Sequence, residues 1–147
     1  MSIQPVHVAI AILYSKDKFL LQLRDNIPGI VYPGHWGLFG GHIEPGETPA
    51  VAVERELLEE IGYTPPALSE FGCYSDSRVV RHVYYAPLTL EVNQLVLNEG
   101  WDMGLFTPQE IRQGRAYSAK ANQVRPLVLP AQQILLDFIN KGVAINC

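Results

Sequence analysis

Apolar residues crowd into short runs near the start of the chain, and polar residues separate those runs. Residues 6–15, VHVAIAILYS, and residues 18–24, KFLLQLR, are rich in Val, Ile and Leu and flank the polar pair Lys16 and Asp17. Apolar, β-branched runs joined by two polar residues are typical of a β-hairpin. We therefore predict two antiparallel strands, followed by a loop in the Pro- and Gly-rich residues 25–37.

A helical pattern follows that loop. Thr48 is a suitable N-cap, Pro49 suits the first helical turn, and Gly62 is a natural left-handed stop. These signals predict a helix from Pro49 to Ile61. Its apolar arc, predicted to pack on the sheet, consists of Ala50, Val53, Leu57 and Ile61. Glu54 falls within the same arc, and the pattern does not account for it.

The second half of the chain alternates apolar runs with turn residues. Further strands are predicted within residues 68–77, 78–92 and 94–98. Thr107, Pro108 and Glu110 form a capping box with a first-turn proline, so a short helix is predicted there. A last helix is predicted over residues 130–142. This order of elements predicts a mixed sheet with helices on its faces, of the α/β (α+β) class, in one domain spanning residues 1–147.

Composition narrows the classes of function. The chain has 147 residues and is 48% hydrophobic, and its 15 acidic against 11 basic residues give a net charge of −4. A negative balance disfavours a nucleic-acid polymer as the partner. The chain lacks a secretory pattern at its start and an apolar run of membrane-spanning length. We therefore expect a cytoplasmic protein without a membrane partner, in which Cys73 and Cys147 are reduced thiols.

Three glutamates share one face of the predicted helix. Glu56, Glu59 and Glu60 are spaced i, i+3 and i+4, so their carboxylates should converge. Acids on a helix are commonly a solvated face, but that interpretation leaves the preceding loop, residues 40–47 (GGHIEPGE), unexplained. Oxygen donors from such a loop and helix suit Mg²⁺, with Mn²⁺ as the alternative, better than zinc. An octahedral ion would leave positions open for phosphate oxygens.

The same stretch resembles the signature of the Nudix hydrolases. Every fixed position of that signature is filled, by Gly41, Glu47, Arg55, Glu56, Leu57, Glu59, Glu60, Gly62 and Tyr63. A signature with so many fixed positions is far more specific than a short glycine motif. The resemblance implies an α/β/α sandwich with a loop–helix–loop motif, and water attack on a pyrophosphate bridge. The substrate it implies is a nucleoside diphosphate linked to another group.

The resemblance also implies roles for individual residues. Glu59 and Glu60 would be the principal metal ligands, and the backbone carbonyl of Gly40 would be a further donor. Glu56 would bind the metal directly or through water, or would contact the attacking water.

Arg55 would pair with an acid of the cluster, for which we name Glu47. The general base differs between members of the family, so both Glu56 and the downstream Glu99 are candidates. An exposed loop glutamate explains Glu99 equally well.

Substrate-binding candidates lie beside the signature. Arg24 ends the second strand and could contact a phosphate, although a surface arginine is the plainer interpretation. Phe39 stands where many relatives have proline, and could line the substrate pocket next to Gly41. Aromatic residues that could stack on a base, but that in strands are more often core, are Trp36, Tyr84, Tyr85 and Trp101.

The substrate is the least defined part of the prediction. Markers of the ADP-ribose, diadenosine polyphosphate, coenzyme A and NADH members are missing, which weakly favours nucleoside triphosphates, oxidised nucleotides or nucleotide sugars. A nucleotide-binding sensor or regulator without turnover is the alternative, although such modules usually lose an acid that this chain keeps. A diphosphate-ester isomerase is a third, less favoured interpretation. Apolar strand surfaces would also allow a homodimer.

Overall fold

The computed structural model describes residues 4–140. Seven strands form the main sheet: β1 (Val6–Ser15), β2 (Lys18–Leu23), β3 (Trp36–Gly37), β4 (Phe39–His42), β5 (Ser69–Ser75), β6 (Val79–Pro87) and β7 (Asp102–Phe106). A separate ribbon contains β8 (Arg115–Ser118) and β9 (Gln123–Pro126). The helices are α1 (Pro49–Ile61), α2 (Pro108–Gln113) and α3 (Leu129–Asn140), with a short 3₁₀ helix at Val92–Gln94.

Strand β1 is the central strand of the main sheet. It pairs antiparallel with β2 and β4, and parallel with β6 from Val6 opposite Val79 to Tyr14 opposite Pro87. A parallel pair needs a long crossover, and here the crossover contains α1. Strands β2 and β7 pair antiparallel on one side, and β5 and β6 on the other. The sheet is therefore mixed, as predicted.

The two faces of the sheet carry separate cores. Along β1, Ala9, Ala11 and Leu13 pack with residues of α1. The alternate residues Ile10 and Ile12 pack with residues of α2 and α3 on the opposite face. This alternation is the two-residue period of a strand. The helices thus cover both faces, and the α/β sandwich predicted from the sequence is confirmed.

Local signals in the sequence placed several elements correctly. The β1–β2 hairpin is present, with β2 one residue shorter than predicted. Helix α1 has the predicted bounds: the Thr48 hydroxyl accepts a hydrogen bond from the Val51 N–H at 3.2 Å, and Gly62 is left-handed with φ of 65°. The capping box at Thr107 is also present. Ala52, outside the predicted arc, is fully buried on α1.

Other predictions were wrong. Residues 94–98 form no strand, and the predicted loop over residues 25–37 ends in strand β3. Strands β4 and β7 and the β8–β9 ribbon were not predicted either. Helix α3 begins at Leu129, and the predicted stop at residue 142 lies outside the described residues. Cys73 is disulfide-bonded, so the prediction of a reduced thiol there is wrong, and residue 147 lies outside the described residues. None of the helices within residues 4–140 has the length and apolar character needed to cross a bilayer.

Candidate active site

Glu60 is a buried carboxylate at the end of the signature helix. Glu60 is only 3% exposed, and its Oε1 accepts a hydrogen bond from the Gly40 N–H at 2.9 Å. Burial raises the pKa of Glu60 to about 8, and the charges of Glu56 and Glu99 add to the rise. Among residues 4–140 no lysine or arginine forms a salt bridge with it. The fold therefore buries an acid without a cationic partner.

Glu56 lies against the glycine loop. A Cβ on Gly41 would lie 2.6 Å from the Glu56 carboxyl carbon, so a larger residue would displace the carboxylate from its present position. Gly40 has φ of 140°, and a Cβ there would overlap the Ala9 carbonyl oxygen. Burial also raises the pKa of Glu56, and the contact with Arg55 opposes that rise. Gly40 is thus required by the close approach of β1, and Gly41 leaves room for the Glu56 carboxylate of α1.

Arg55 holds the loop and the helix together. Its Nε donates to Glu47 Oε2 at 2.7 Å and its Nη2 to Glu47 Oε1 at 2.9 Å, which is a bidentate pair. Nη2 also donates to the His42 carbonyl at 3.1 Å, and Nη1 donates to Glu56 Oε1 at 3.0 Å. The hydrogen bonds from Arg55 lower the pKa of Glu47 to about 2. The pairing named from the sequence, Arg55 with Glu47, is present.

Glu59 does not converge with Glu56 and Glu60 in the manner predicted. Its side chain is 53% exposed, and its carboxylate lies 3.3 Å from Arg55 Nη1. Arg55 thereby draws Glu59 toward itself rather than toward the buried Glu60. Within residues 4–140, no group of three or more acidic, histidine or cysteine side chains is arranged to hold a metal ion.

The donors present nevertheless fit a hard divalent cation. Glu60 is buried without a cationic partner, Glu56 lies close enough for its charge to raise the pKa of Glu60, and both offer only oxygen atoms. Burying an unpaired carboxylate is costly, and a bound cation would remove that cost. Glu59 has to leave Arg55 to become a third side-chain ligand.

Glu99 faces the same acids from a different part of the chain. It is exposed, and its charge contributes to the raised pKa values of Glu56 and Glu60. The segment that carries it is fastened to α1, because the Asn98 N–H donates to the Glu60 carbonyl at 2.8 Å and Asn98 Nδ2 donates to the Glu59 carbonyl at 3.0 Å. The geometry places Glu99 beside the cluster.

The predicted substrate-binding side chains are less well placed. Phe39 is completely buried in the core under α1 and presents no surface to a ligand, so the prediction that it lines a pocket is wrong. Arg24 Nε donates to the Val31 carbonyl at 2.7 Å and thus holds its own loop. Trp36 and Tyr84 are buried core residues, as the plainer interpretation of the aromatics held.

Two residues in contact with the cluster were missed by sequence reasoning. Gln22 is 4% exposed, and its Nε2 lies 3.4 Å from Glu60 Oε2. A single polar residue inside the apolar run FLLQL was the signal that could have identified it. Asn98 carried no comparable signal, because its two contacts to α1 are long-range.

Comparison with known proteins gives a consistent picture. The NUDIX domain family model matches residues 4–127. An ADP-ribose pyrophosphatase of Methanocaldococcus jannaschii is 42% identical over 73 residues, which cover 48% of this chain and 41% of that protein. The nucleoside triphosphatase NudI of Enterobacter sp. (strain 638) is 56% identical over 32 residues, covering 22% of this chain and 23% of the relative.

A solved structure resembles the whole fold. The MutT protein from Methanosarcina mazei Go1 superposes with a TM-score of 0.73 at 19% identity, covering 95% of this chain and 98% of the other. At that identity the likeness concerns the fold alone. The chain spans about half or less of the length of the curated relatives it matches.

Proposed function

The chain belongs to the Nudix family, and on that premise we propose that it is a Mg²⁺-dependent hydrolase of nucleoside diphosphates linked to another group. The observation that carries this proposal is the buried Glu60 carboxylate, which lies beside Glu56 on the signature helix and has no cationic partner within residues 4–140. Glu56, Glu59, Glu60 and the Gly40 carbonyl would hold the ion. When bound, Mg²⁺ neutralises phosphate oxygens and promotes ionisation of water.

The chain's own residues would supply positioning and proton transfer. Gly41 lets the loop lie against Glu56. Because position 41 has no side chain, a pyrophosphate could reach the acids along the backbone of the loop. Arg55 fixes Glu47 and the His42 carbonyl, and so fixes the loop relative to α1. Either Glu56 or Glu99 would accept the proton of the attacking water, and both remain candidates.

The proposed substrates are nucleoside triphosphates, oxidised nucleotides or nucleotide sugars. The relative named a nucleoside triphosphatase supports the first class. The relative named an ADP-ribose pyrophosphatase requires that ADP-ribose be tested too, although the sequence lacks the marker of that class. We also propose that residues 1–147 form one domain that acts in the cytoplasm, either as a monomer or as a homodimer.

A substrate panel with Mg²⁺ tests the proposal through the release of phosphate or pyrophosphate. Glu60→Gln should reduce turnover by orders of magnitude with an unchanged circular-dichroism spectrum, because it removes a charged ligand without changing the shape of the side chain. Glu54→Gln is the matched control, since Glu54 is exposed on the same helix. Full activity of Glu60→Gln would refute the assignment of the site.

One observation favours the alternative function, a nucleotide-binding sensor. Arg55 already binds Glu56 and Glu59, and no three-ligand metal site is preassembled within residues 4–140. A sensor would bind a nucleotide in calorimetry without cleaving any member of the panel. Turnover of any nucleotide by the wild type, abolished by Glu60→Gln, would exclude that alternative.

A further inference from the structure

Gln22 is a buried polar residue next to the end of the apolar strand β2. Its neighbours Leu21 and Leu23 are fully buried, and Gln22 itself is 4% exposed. An amide in such a place destabilises the fold unless it is hydrogen-bonded. Its Nε2 donates to Glu60 Oε2 at 3.4 Å. Strand β2 thus directs a donor at the most buried acid of the candidate site.

The other end of the same side chain meets the segment that carries Glu99. A Cβ on Gly100 would lie 3.1 Å from Gln22 Oε1 and 3.1 Å from the Leu23 carbonyl oxygen, so a larger residue would crowd both atoms. Gly100 also has φ of 102°, which favours glycine. The next residue, Trp101, donates its N–H to the Leu23 carbonyl at 2.8 Å. Gln22 therefore lies where β2, α1 and residues 98–101 come together.

The donor chemistry suits a carboxylate that must also accept a metal ion. An ionised carboxylate has about four lone-pair sites. The Gly40 N–H donates to Oε1 and the Gln22 amide to Oε2, which fixes the side chain and leaves acceptor sites free on both oxygens. A lysine or arginine at position 22 would instead neutralise Glu60 and compete with the ion.

We propose that Gln22 is a positioning residue that fixes the Glu60 carboxylate and the backbone beside Glu99 relative to each other. The inference deepens the proposed function and rests on it for the metal site that Glu60 serves. Gln22 acts through Glu60 and touches neither metal nor substrate. Metal affinity should therefore depend on Gln22, besides any effect on turnover.

The first test removes the amide and keeps an unbranched side chain of similar size. Gln22→Met should weaken Mg²⁺ binding, measured by isothermal titration calorimetry, about tenfold, as expected for a residue that orients a metal ligand. It should also raise the Mg²⁺ concentration needed for half-maximal turnover. Gln109→Met is the control, because Gln109 is exposed on α2 at the other face of the sheet. Equal Mg²⁺ affinity of Gln22→Met and the wild type would overturn the inference.

The second test uses an isosteric acid. Gln22→Glu places a carboxylate next to Glu60, so the variant should melt at a lower temperature than the wild type without Mg²⁺. Added Mg²⁺ should then raise the melting temperature of the variant more than that of the wild type. An identical deficit with and without Mg²⁺ would mean a merely structural glutamine and would overturn the inference.

Mg²⁺ binding and nucleotide cleavage, both measured on the wild type, distinguish failure of this inference from failure of the proposed function. A wild type that binds Mg²⁺ but cleaves no nucleotide refutes the proposed hydrolase, and the affinity comparison at Gln22 still decides the positioning role. A wild type without affinity for Mg²⁺ refutes both.

Discussion

Arg55 is surrounded by more acids than it can neutralise. It contacts Glu47, Glu56 and Glu59, and Glu44 Oε1 lies 3.8 Å from its Nη1. Only a planar guanidinium can serve Glu47 with two parallel hydrogen bonds and still reach the His42 carbonyl. The identity of this residue is therefore fixed by geometry as well as by charge.

Replacing Arg55 with lysine should separate the effect of its charge from the effect of its bidentate geometry. Arg55→Lys keeps the charge but loses the bidentate contact, so we expect turnover to fall about tenfold or more while the protein stays folded. The measurement is kcat on the preferred nucleotide. Arg81→Lys is the control, because Arg81 meets Asp76 through Nη1 alone. Equal loss in both variants would argue against a special role for Arg55.

Gly41 allows a second test at this scale. Gly41→Ala would bring a methyl group to 2.6 Å from the Glu56 carboxyl carbon, so the loop or the carboxylate must move. We expect weaker Mg²⁺ binding in calorimetry and lower kcat. Gly104→Ala is the control, because its Cβ would only make an ordinary 3.6 Å contact with Phe106. Unchanged Mg²⁺ affinity of Gly41→Ala would remove Glu56 from the metal site.

At the scale of elements, the sequence predicted the features that interactions between neighbouring residues determine, such as the ends of helices. Thr48 and Gly62 specify the ends of α1 through their own hydrogen bond and dihedral angle, without help from the rest of the fold. Residues 94–98 show the limit, because their apolar pattern reflects the burial of Leu95 in an irregular segment rather than a strand. The burial of Phe39 was missed for the same reason: burial depends on α1 packing across β4, which no short stretch reveals.

The turn between β5 and β6 gives a prediction for pH dependence. Asp76 Oδ1 accepts the N–H groups of Arg78 and Val79 at 2.8 and 2.9 Å, and these bonds, with Arg81, lower the pKa of Asp76 from 3.8 to about 2. A lowered folded-state pKa stabilises the protein fully above the unfolded value, and the effect is lost as pH falls through about 2.

Asp76→Ala should therefore melt below the wild type at neutral pH, by a margin that solvent screening keeps small because the carboxylate is exposed. The gap should narrow as acid protonates Asp76, and should nearly close below the lowered pKa. Thermal melts at a series of pH values measure it. A gap that stays constant with pH would show that the carboxylate charge contributes nothing to the turn.

The fold of the whole molecule brings polar residues from distant parts of the chain together beside Glu60. Signature glutamates lie on α1, Gln22 on β2 and Glu99 on the segment before β7. The spacing of the signature predicted the first group, whereas the contacts of Gln22 and Asn98 depend on the pairing of β2 with β7. Sequence reasoning named the three acids of α1, of which Glu59 lies against Arg55 instead of beside Glu60, and it named Glu99 only from the resemblance.

Binding of an ion by this assembled site should stabilise the whole fold. A ligand that binds only the folded state at a hundredfold excess over its Kd adds about 2.7 kcal/mol to the free energy of unfolding. The melting temperature should thus rise with Mg²⁺ concentration and fall again with a chelator. Glu60→Gln should lose most of that response. A wild-type melt indifferent to Mg²⁺ would contradict a site in the folded protein.

The parallel pairing of β1 with β6 also bears on how the chain folds as it is made. Val6 lies opposite Val79, so the first strand cannot pair with this neighbour until the ribosome has synthesised residue 79. Because synthesis adds about 5–20 residues per second, the apolar side chains of the nascent β1–β2 hairpin stay exposed for seconds before β6 is made. Chaperones that shield short hydrophobic strands would therefore affect the yield of this protein more than its final stability.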